Sequence, residues 1–392
     1  MARATGRWLA GGVLTALLLA PAPAAQAQGF FDQFIDPKDG MLDGSEWLAG
    51  RTGFLPVPVI ISDPAVDYGG GLGIAFFHEQ DAADVEDREP PLDIYGDPML
   101  ALPPSVSAVV GAGTANGSWI AGGGHLGIWR QDTIRYEGIA GGASINLNFH
   151  GSGDNDVLDD APAGFNIEGF FTTHELKFRV ADTDLFLGGR YEFLGADVSF
   201  DNRAQILDDA DARFDERTAG LTALLEVDER DNIFSPTSGH DTKLELGLWS
   251  NVFGGDTDYW RTRLRSTSYW DLVENLNLGV KVDAEATGGD VPFYHLPFIR
   301  LRGIGSLRYQ DDAVVSTEGE LRYDLTQRWS LVGFGGVGVT FGADPSGYVE
   351  GAGGGGFRYL LARRLGLKAG LDIARGPEDT VVYVTVGSAW AR

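Results

Sequence analysis

From Gly164 onward the chain alternates apolar and polar residues with a period of two, in segments of about 10 residues separated by short turns, the length a tilted strand needs to cross a bilayer. Leu276, Leu278, Val280, Val282 and Ala284 share one face while Asn277, Lys281, Asp283 and Glu285 share the other. The same holds for Thr242, Leu244, Leu246 and Leu248 against Lys243 and Glu245, and for Leu365, Leu367, Ala369, Leu371 and Ile373 against Lys368 and Asp372. Such segments are strands, one face dry and one wet.

A soluble β-sandwich also alternates, so the polarity of the second face has to separate the two architectures. That face carries ladders of charge: Glu175, Lys177, Arg179; Arg261, Arg263, Arg265; Glu318, Glu320, Arg322, Asp324. Any one ladder could be the solvent face of a sandwich. The last segment, with Val382, Val384, Val386, Ser388 and Trp390 in step, favours a membrane barrel: an alternating final strand closed by an aromatic resembles the signal by which outer-membrane barrels are recognised for assembly, here with Val386 and Trp390 as its residues. Composition agrees, because 56 glycines in 392 residues is about twice the usual share of roughly 7 %, and they are scattered through the strand-like segments.

The chain opens like an exported protein. Arg3 and Arg7 precede an apolar run from Trp8 to Ala20, and Ala25-Gln26-Ala27 forms a small-residue cleavage site. Residues 1–27 are therefore expected to be a signal peptide, 28–53 a short periplasmic or lumenal segment, and 54–392 the barrel. No other run approaches roughly 18 uninterrupted apolar residues. There is no cysteine, so the exported fold has to hold by pairing and packing alone.

Counting back from Trp390 gives sixteen segments: 378–390, 365–374, 348–361, 328–341, 313–324, 275–286, 258–270, 240–250, 217–228, 184–199, 165–180, 133–149, 118–129, 104–113, 68–78 and 54–62. Closed bacterial barrels have an even number, and the expectation is an all-β, sixteen-stranded antiparallel barrel. Over strands six to twelve and fifteen the polar face holds ten bases against eleven acids. They are expected to pair across neighbouring strands, which argues against a strongly ion-selective pore. The net charge of −26 resides mainly in connections: eight acids and one base in 79–103, four acids and no base in 150–164, six acids and two bases in 200–216. Asp154, Asp156, Asp159 and Asp160 lack a calcium-loop pattern. Nothing basic and contiguous is present to neutralise phosphates, which excludes a nucleic-acid partner.

Between two of the strands, Ile299 to Val314 carries Leu301-Arg302-Gly303-Ile304. This resembles the sixth extracellular loop of the BamA/TamA-like bacterial surface antigens, an outer-membrane assembly superfamily in which Val/Ile-Arg-Gly-Phe/Tyr folds back into the barrel and its arginine reaches a lumenal carboxylate. Glu229 to Gly239, with Arg230, Asp231, Asn232, Pro236 and Gly239, resembles the family's R-D-N-x-x-x-P-x-x-G periplasmic turn between the eighth and ninth strands. Phe54-Leu55-Pro56-Val57-Pro58, Pro64-Ala65-Val66 and Gly69-Gly70-Gly71 resemble the barrel entry of a compact subgroup. Two departures stand out. The aromatic after Arg-Gly is Ile304, and the Phe-x-Asp-x-Gly pattern of the thirteenth strand reads Phe334-Gly335-Gly336-Val337-Gly338, without its aspartate. The partner of Arg302 is then expected on the twelfth strand, Glu320 first and Glu318 in reserve. The 26 residues of 28–53 are too few for a periplasmic POTRA module.

The resemblance implies a Gram-negative outer-membrane location, contact with outer-membrane lipid, dependence on the barrel assembly machinery during biogenesis, a periplasmic partner protein, and help with insertion or translocation of protein or lipid. It also implies a weakly zipped seam between the first and last strands, here Gly69 to Gly73 against Val381 to Trp390. A passive pore or structural barrel is the rival. Enzyme motifs are poor: there is no G-x-S-x-G or H-E-x-x-H, His174-Glu175 lacks a second histidine at the needed spacing, and Gly351 to Gly356 matches G-x-G-x-x-G without a strand-turn-helix context. His150-Gly151-Ser152 resembles the His-x-Ser of outer-membrane phospholipases and leaves a lipid hydrolase as a remote alternative. No catalytic, cofactor or metal residue is assigned.

Overall fold

The structure, a computed structural model, describes residues 34–45, 53–78, 92–99, 105–151, 162–201, 213–342 and 347–390. The leader and its cleavage site, Ser152, and Asp154 to Asp160 lie outside the described residues.

Sixteen strands run in one antiparallel meander: β1 Gly53–Ile61, β2 Gly69–Phe77, β3 Val106–Thr114, β4 Trp119–Trp129, β5 Ile134–Phe149, β6 Ala163–Arg179, β7 Leu185–Phe200, β8 Arg213–Asp228, β9 Gly239–Trp249, β10 Tyr259–Val273, β11 Leu276–Gly289, β12 Ala313–Asp324, β13 Trp329–Phe341, β14 Val349–Ala362, β15 Leu367–Arg375 and β16 Thr380–Val386. Each strand pairs with its sequence neighbours, and the sheet curls into a nearly closed barrel. Fifteen of the sixteen segments read from the sequence match within a few residues. The first two, the least regular in sequence, pair in register from Gly53↔Phe77 to Ile61↔Gly69.

The exception is the last strand. It ends at Val386, not Trp390, because Gly387 adopts φ 77°, a left-handed conformation in which glycine carries no steric cost. The chain leaves the wall there. Trp390 turns inward and is buried against Tyr269, with ring centroids 5.8 Å apart, so it does not continue the outward row Val382, Val384, Val386, which is exposed.

The two faces fall as the alternation requires. Leu246, Leu248, Val282, Leu321 and Ile373 are exposed on the outer wall while Lys243, Asp283, Glu285, Glu318 and Asp372 are buried inside. Exposed aromatics ring both ends of the outer wall. Trp119, Trp260 and Phe341 lie at the end from which the Thr287 to Asp312 connection departs, and Trp270, Tyr323 and Trp329 at the end holding the chain termini. Such girdles mark the two membrane interfaces of a barrel. We call these the loop end and the turn end.

Inside, acids and bases pair as the near-balance of charges leads one to expect, but many pairs skip one or two strands. Arg190 of β7 binds Glu245 of β9 through two bonds of 2.8 and 3.1 Å, and Lys243 of β9 reaches Glu175 of β6 at 2.9 Å. Inward side chains converge in a curved wall, so residues beyond the adjacent strand come within reach.

Candidate functional site

The connection from β11 to β12 enters the lumen and packs Ile299, Leu301, Ile304 and Tyr309 with Val314 and Tyr348 in a small apolar cluster. The wall has been thinned to admit it. A Cβ on Gly338 would lie 2.4 Å from Ile299 Cγ2, and one on Gly336 would lie 2.8 Å from Leu301 Cδ2. The loop and the glycine-rich thirteenth strand are thus complementary surfaces.

That packing delivers Arg302 to a buried carboxylate cage. Its Nε donates to Glu318 Oε1 at 2.9 Å, its backbone N–H to Glu318 Oε2 at 3.2 Å, and one terminal nitrogen to Glu320 Oε2 at 2.7 Å and Asp372 Oδ2 at 3.1 Å. The guanidinium lies over Phe334, 3.5 Å from the ring centroid, a cation–π contact. Phe334 is the aromatic of the strand-thirteen pattern, and the aspartate missing from that pattern is made up by β12 and by Asp372 of β15. Asp372 is fully buried and is shared with Arg358 through bonds of 2.5 and 2.9 Å. Gly303, at φ 100°, donates its N–H to the hydroxyl of Tyr383 on β16 at 2.9 Å. The backbone conformation needed to turn Arg302 into the cage therefore calls for glycine.

Glu318 is the hub of this arrangement. Besides Arg302 it accepts the indole N–H of Trp390 at 2.5 Å, so the C-terminal tail and the loop share one carboxylate. Of the two carboxylates proposed from sequence, Glu318 is the more deeply buried and the more connected.

The β8–β9 turn is fixed by its own side chains. Arg230 binds Asp228 through two nitrogens at 2.8 and 3.0 Å; Asp231 accepts from Thr237 N at 2.9 Å and Ser238 N at 3.1 Å; Asn232 accepts from Phe234 N and Ser235 N and donates to Leu365 O at 3.0 Å. Pro236 accepts from Arg322 through its carbonyl at 3.4 Å, and Gly239 supplies φ 90° where β9 begins. These residues staple one turn to the β14–β15 turn beside it.

The seam is where the meander does not close. Among the described residues no ladder joins β16 back to β1, although every sequence-adjacent pair of strands is laddered. Gly69 to Gly73, expected at the seam, belong to β2 and pair with both β1 and β3; the edge strand is Gly53–Ile61. The sequence placed the seam one strand too far in because it was drawn at the glycine run, whereas 54–62, already counted as a strand, forms the edge.

Contacts at both ends span this gap. At the loop end Ser306 donates to Asp63, which follows β1, through its hydroxyl at 2.5 Å and its N–H at 3.2 Å, while Arg308 pairs with Glu378 at the head of β16 at 2.5 Å. At the turn end residues 34–45, part of the segment preceding β1, form a tight hairpin in which Asp36, Asp39 and Asp43 each accept a backbone N–H two residues on through one oxygen. The other oxygens converge on Arg328, in the turn between β12 and β13, at 2.6, 2.7 and 2.5 Å. Arg363, between β14 and β15, is held by Asp36 at 2.6 Å and by Asp97 and Asp93 of the β2–β3 connection. Burial pushes the Asp39 carboxyl up, but bonds from Arg328 and the Met41 amide outweigh it and hold it below its usual value; Asp97 is held down by Lys38 and Arg363. This acidic strap was not singled out from the sequence. Its trace there is three aspartates, Asp36, Asp39 and Asp43, with Gly40 after the second and Gly44 after the third.

His174 and Glu175 point to opposite faces of the wall: His174 faces outward, bonded to Tyr136 at 2.8 Å, while Glu175 faces the lumen. Among the described residues no three His, Cys, Asp or Glu side chains are placed to hold a metal ion.

A sixteen-stranded barrel whose inward loop anchors an Arg-Gly pair on lumenal carboxylates belongs to a recognisable class of membrane barrel. Residues 141–333 match the Omp85 superfamily domain. BamA from Haemophilus ducreyi lacking POTRA domains 1–3 superposes with a TM-score of 0.56 at 12 % identity, covering 86 % of this chain and 70 % of that one. CdiB from Escherichia coli gives 0.55 at 11 %, with 86 % and 62 % covered, and CdiB from Acinetobacter baumannii 0.50 at 10 %, with 86 % and 60 % covered. This chain thus spans less than two thirds of either CdiB chain. No curated protein sequence matches it. Residues 141–333 thus carry an Omp85 superfamily domain, and the chain as a whole has the fold of the BamA barrel.

Proposed function

We propose that this protein is a non-enzymatic outer-membrane barrel of a Gram-negative bacterium that assists insertion or translocation of a protein or lipid by parting its wall between β1 and β16. The observation that carries this reading is the unladdered seam, bridged by side-chain contacts at its two ends. Interstrand hydrogen bonds cannot be left unpaired in hydrocarbon without a cost of several kcal/mol each, so an open edge within the membrane is a place where a substrate strand or headgroup finds partners. The barrel assembly machinery would insert the protein, and a partner protein would meet it at the periplasmic end. A passive pore is disfavoured by a lumen occupied by the loop, the tail and paired charges.

A disulfide scan between Val57–Ile61 of β1 and Thr380–Val384 of β16 tests the mechanism. At least one oxidised pair should fold, resist unfolding until boiled, and lose the cellular phenotype, with reduction restoring it. A trapped seam with full function, or large steady conductance abolished only by lumen blockers, would establish the passive pore instead.

A further inference from the structure

Two lumenal cations stand apart from the pairing around them. The register sets Asp283 opposite Arg265 and Glu318 opposite Lys281, the natural cross-strand partners. Both acids are taken: Asp283 is bound by Arg263 at 2.6 and 3.0 Å, and Glu318 by Arg302 and Trp390. The next acid along β11, Glu285, holds Arg300 at 2.5 Å. Among the described residues neither Arg265 nor Lys281 has a carboxylate oxygen within the 4.0 Å of an ion pair, and Lys281 makes only a 3.5 Å contact with the Arg300 carbonyl.

Both border a lumenal cavity of about 360 Å³ whose charged lining is five bases against three acids. The larger neighbouring cavity, about 550 Å³, is lined by eight bases and eight acids. Arg263, Arg300 and Arg302 are each held by carboxylates, so what is left without an ion pair in this cavity is Arg265 and Lys281, in a chain of formal charge −26. Both side chains are half-buried in the lumen, and a multivalent anion would give them the direct counter-charge that their cross-strand acids give to others.

We propose that this cavity binds an oxyanion of the phosphate class. Arg265 offers a planar fork suited to two phosphate oxygens and Lys281 a compact charge for a third, while Ile304 and Trp390 form the apolar side. The cavity is larger than a bare phosphate needs, which leaves room for an ester substituent. It also lies beside the seam, since Asp63 after β1 and Tyr383 of β16 are in its lining. The phosphate could thus arrive free or as a lipid headgroup. Only the second route rests on the seam-opening reading.

The test uses the full chain folded in maltoside micelles, with ³¹P line broadening of inorganic phosphate and of a short-chain phosphatidate as separate probes. One or both should bind to the wild type, and the double variant Arg265→Gln, Lys281→Gln should weaken binding by roughly tenfold or more while keeping its heat-modifiable migration. Phosphatidate bound in preference to phosphate assigns the lipid source; equal binding assigns the free ion. Thr267→Glu provides a second arm, because Thr267 sits opposite Lys281 on the lumenal face. A carboxylate there should displace the ligand and raise the melting temperature, and it decides the matter if the double variant fails to fold. Binding of neither probe overturns the proposal, as does affinity unchanged in both variants, which would mean an adventitious ion only.

Discussion

The inserted loop and the turn-end strap are fastened with the same chemistry in opposite polarity. In the lumen the arginine rides on the inserted loop and the carboxylates belong to the wall: Arg302 against Glu318, Glu320 and Asp372. At the turn end the wall supplies the arginines, Arg328 and Arg363, and the connecting segments supply the aspartates. The difference decides what happens when a contact is lost. Carboxylates fixed in the wall stay buried after their arginine is removed. Aspartates on a segment can move to water. The lumenal anchor of the loop therefore resembles a structural rivet, and the turn-end strap a reversible fastening.

The largest effect follows from removing the rivet. Arg302→Ala leaves Glu320 and Asp372 to Arg358 and leaves Glu318 with the Trp390 indole, and breaking a buried pair from one side costs about 3–5 kcal/mol. Denaturant unfolding in micelles should show that loss, together with protease nicking within 287–312. Because Glu318 also holds Trp390, Glu318→Ala should be more damaging than Glu320→Ala, and each should be nearly non-additive with Arg302→Ala, as partners in one network are. A greater loss at Glu320 would move the hub outward and weaken the contrast with the strap.

Arg328→Ala should cost less, about 1–3 kcal/mol, the range for losing charged hydrogen bonds whose partners can resolvate. Its readout is new protease access to residues 34–45 with the boiled and unboiled mobility difference intact. The two anchors share no partner, so Arg302→Ala and Arg328→Ala should add to within about 0.5 kcal/mol. A larger coupling would mean that both ends report one two-state seam and that the comparison describes a single device.

How far these features could be read from the sequence follows the same division. Strand positions, the inward charges and the motif Arg302-Gly303 are local patterns, and period-two alternation exposes them one residue at a time. The hub was half legible: parity put Glu318, Glu320 and Asp372 on the inner face, but their convergence depends on the curvature of the wall between β12 and β15. Val386 and Trp390 were read as one outward row because alternation alone carries no sign of the left-handed turn at Gly387. The strap pairs residues about 290 positions apart, as in Asp36 with Arg328, and no periodicity spans such a separation. The seam was displaced by one strand because it was set at the glycine run Gly69 to Gly73, and alternation within a strand carries no sign of which strand is the edge.

The smallest effect separates the two ends by solution conditions. Asp39 and Asp97 have carboxyls held below their ordinary values, so their contribution is present above the unfolded value of about 4 and is lost as pH falls through the lower folded values. Protonation removes the charge that Arg328 and Arg363 bind. Asp97 and Lys38 are also substantially exposed, and salt screens such pairs. Acidification from pH 5 towards 3, or raised ionic strength at pH 4, should therefore increase cleavage within 34–45 while cleavage within 287–312 stays low. The direction is fixed by the depressed carboxyls: the strap loosens in acid and tightens as pH rises. Simultaneous exposure of both segments would show that the strap has no independent release, and that the seam opens only when the barrel does.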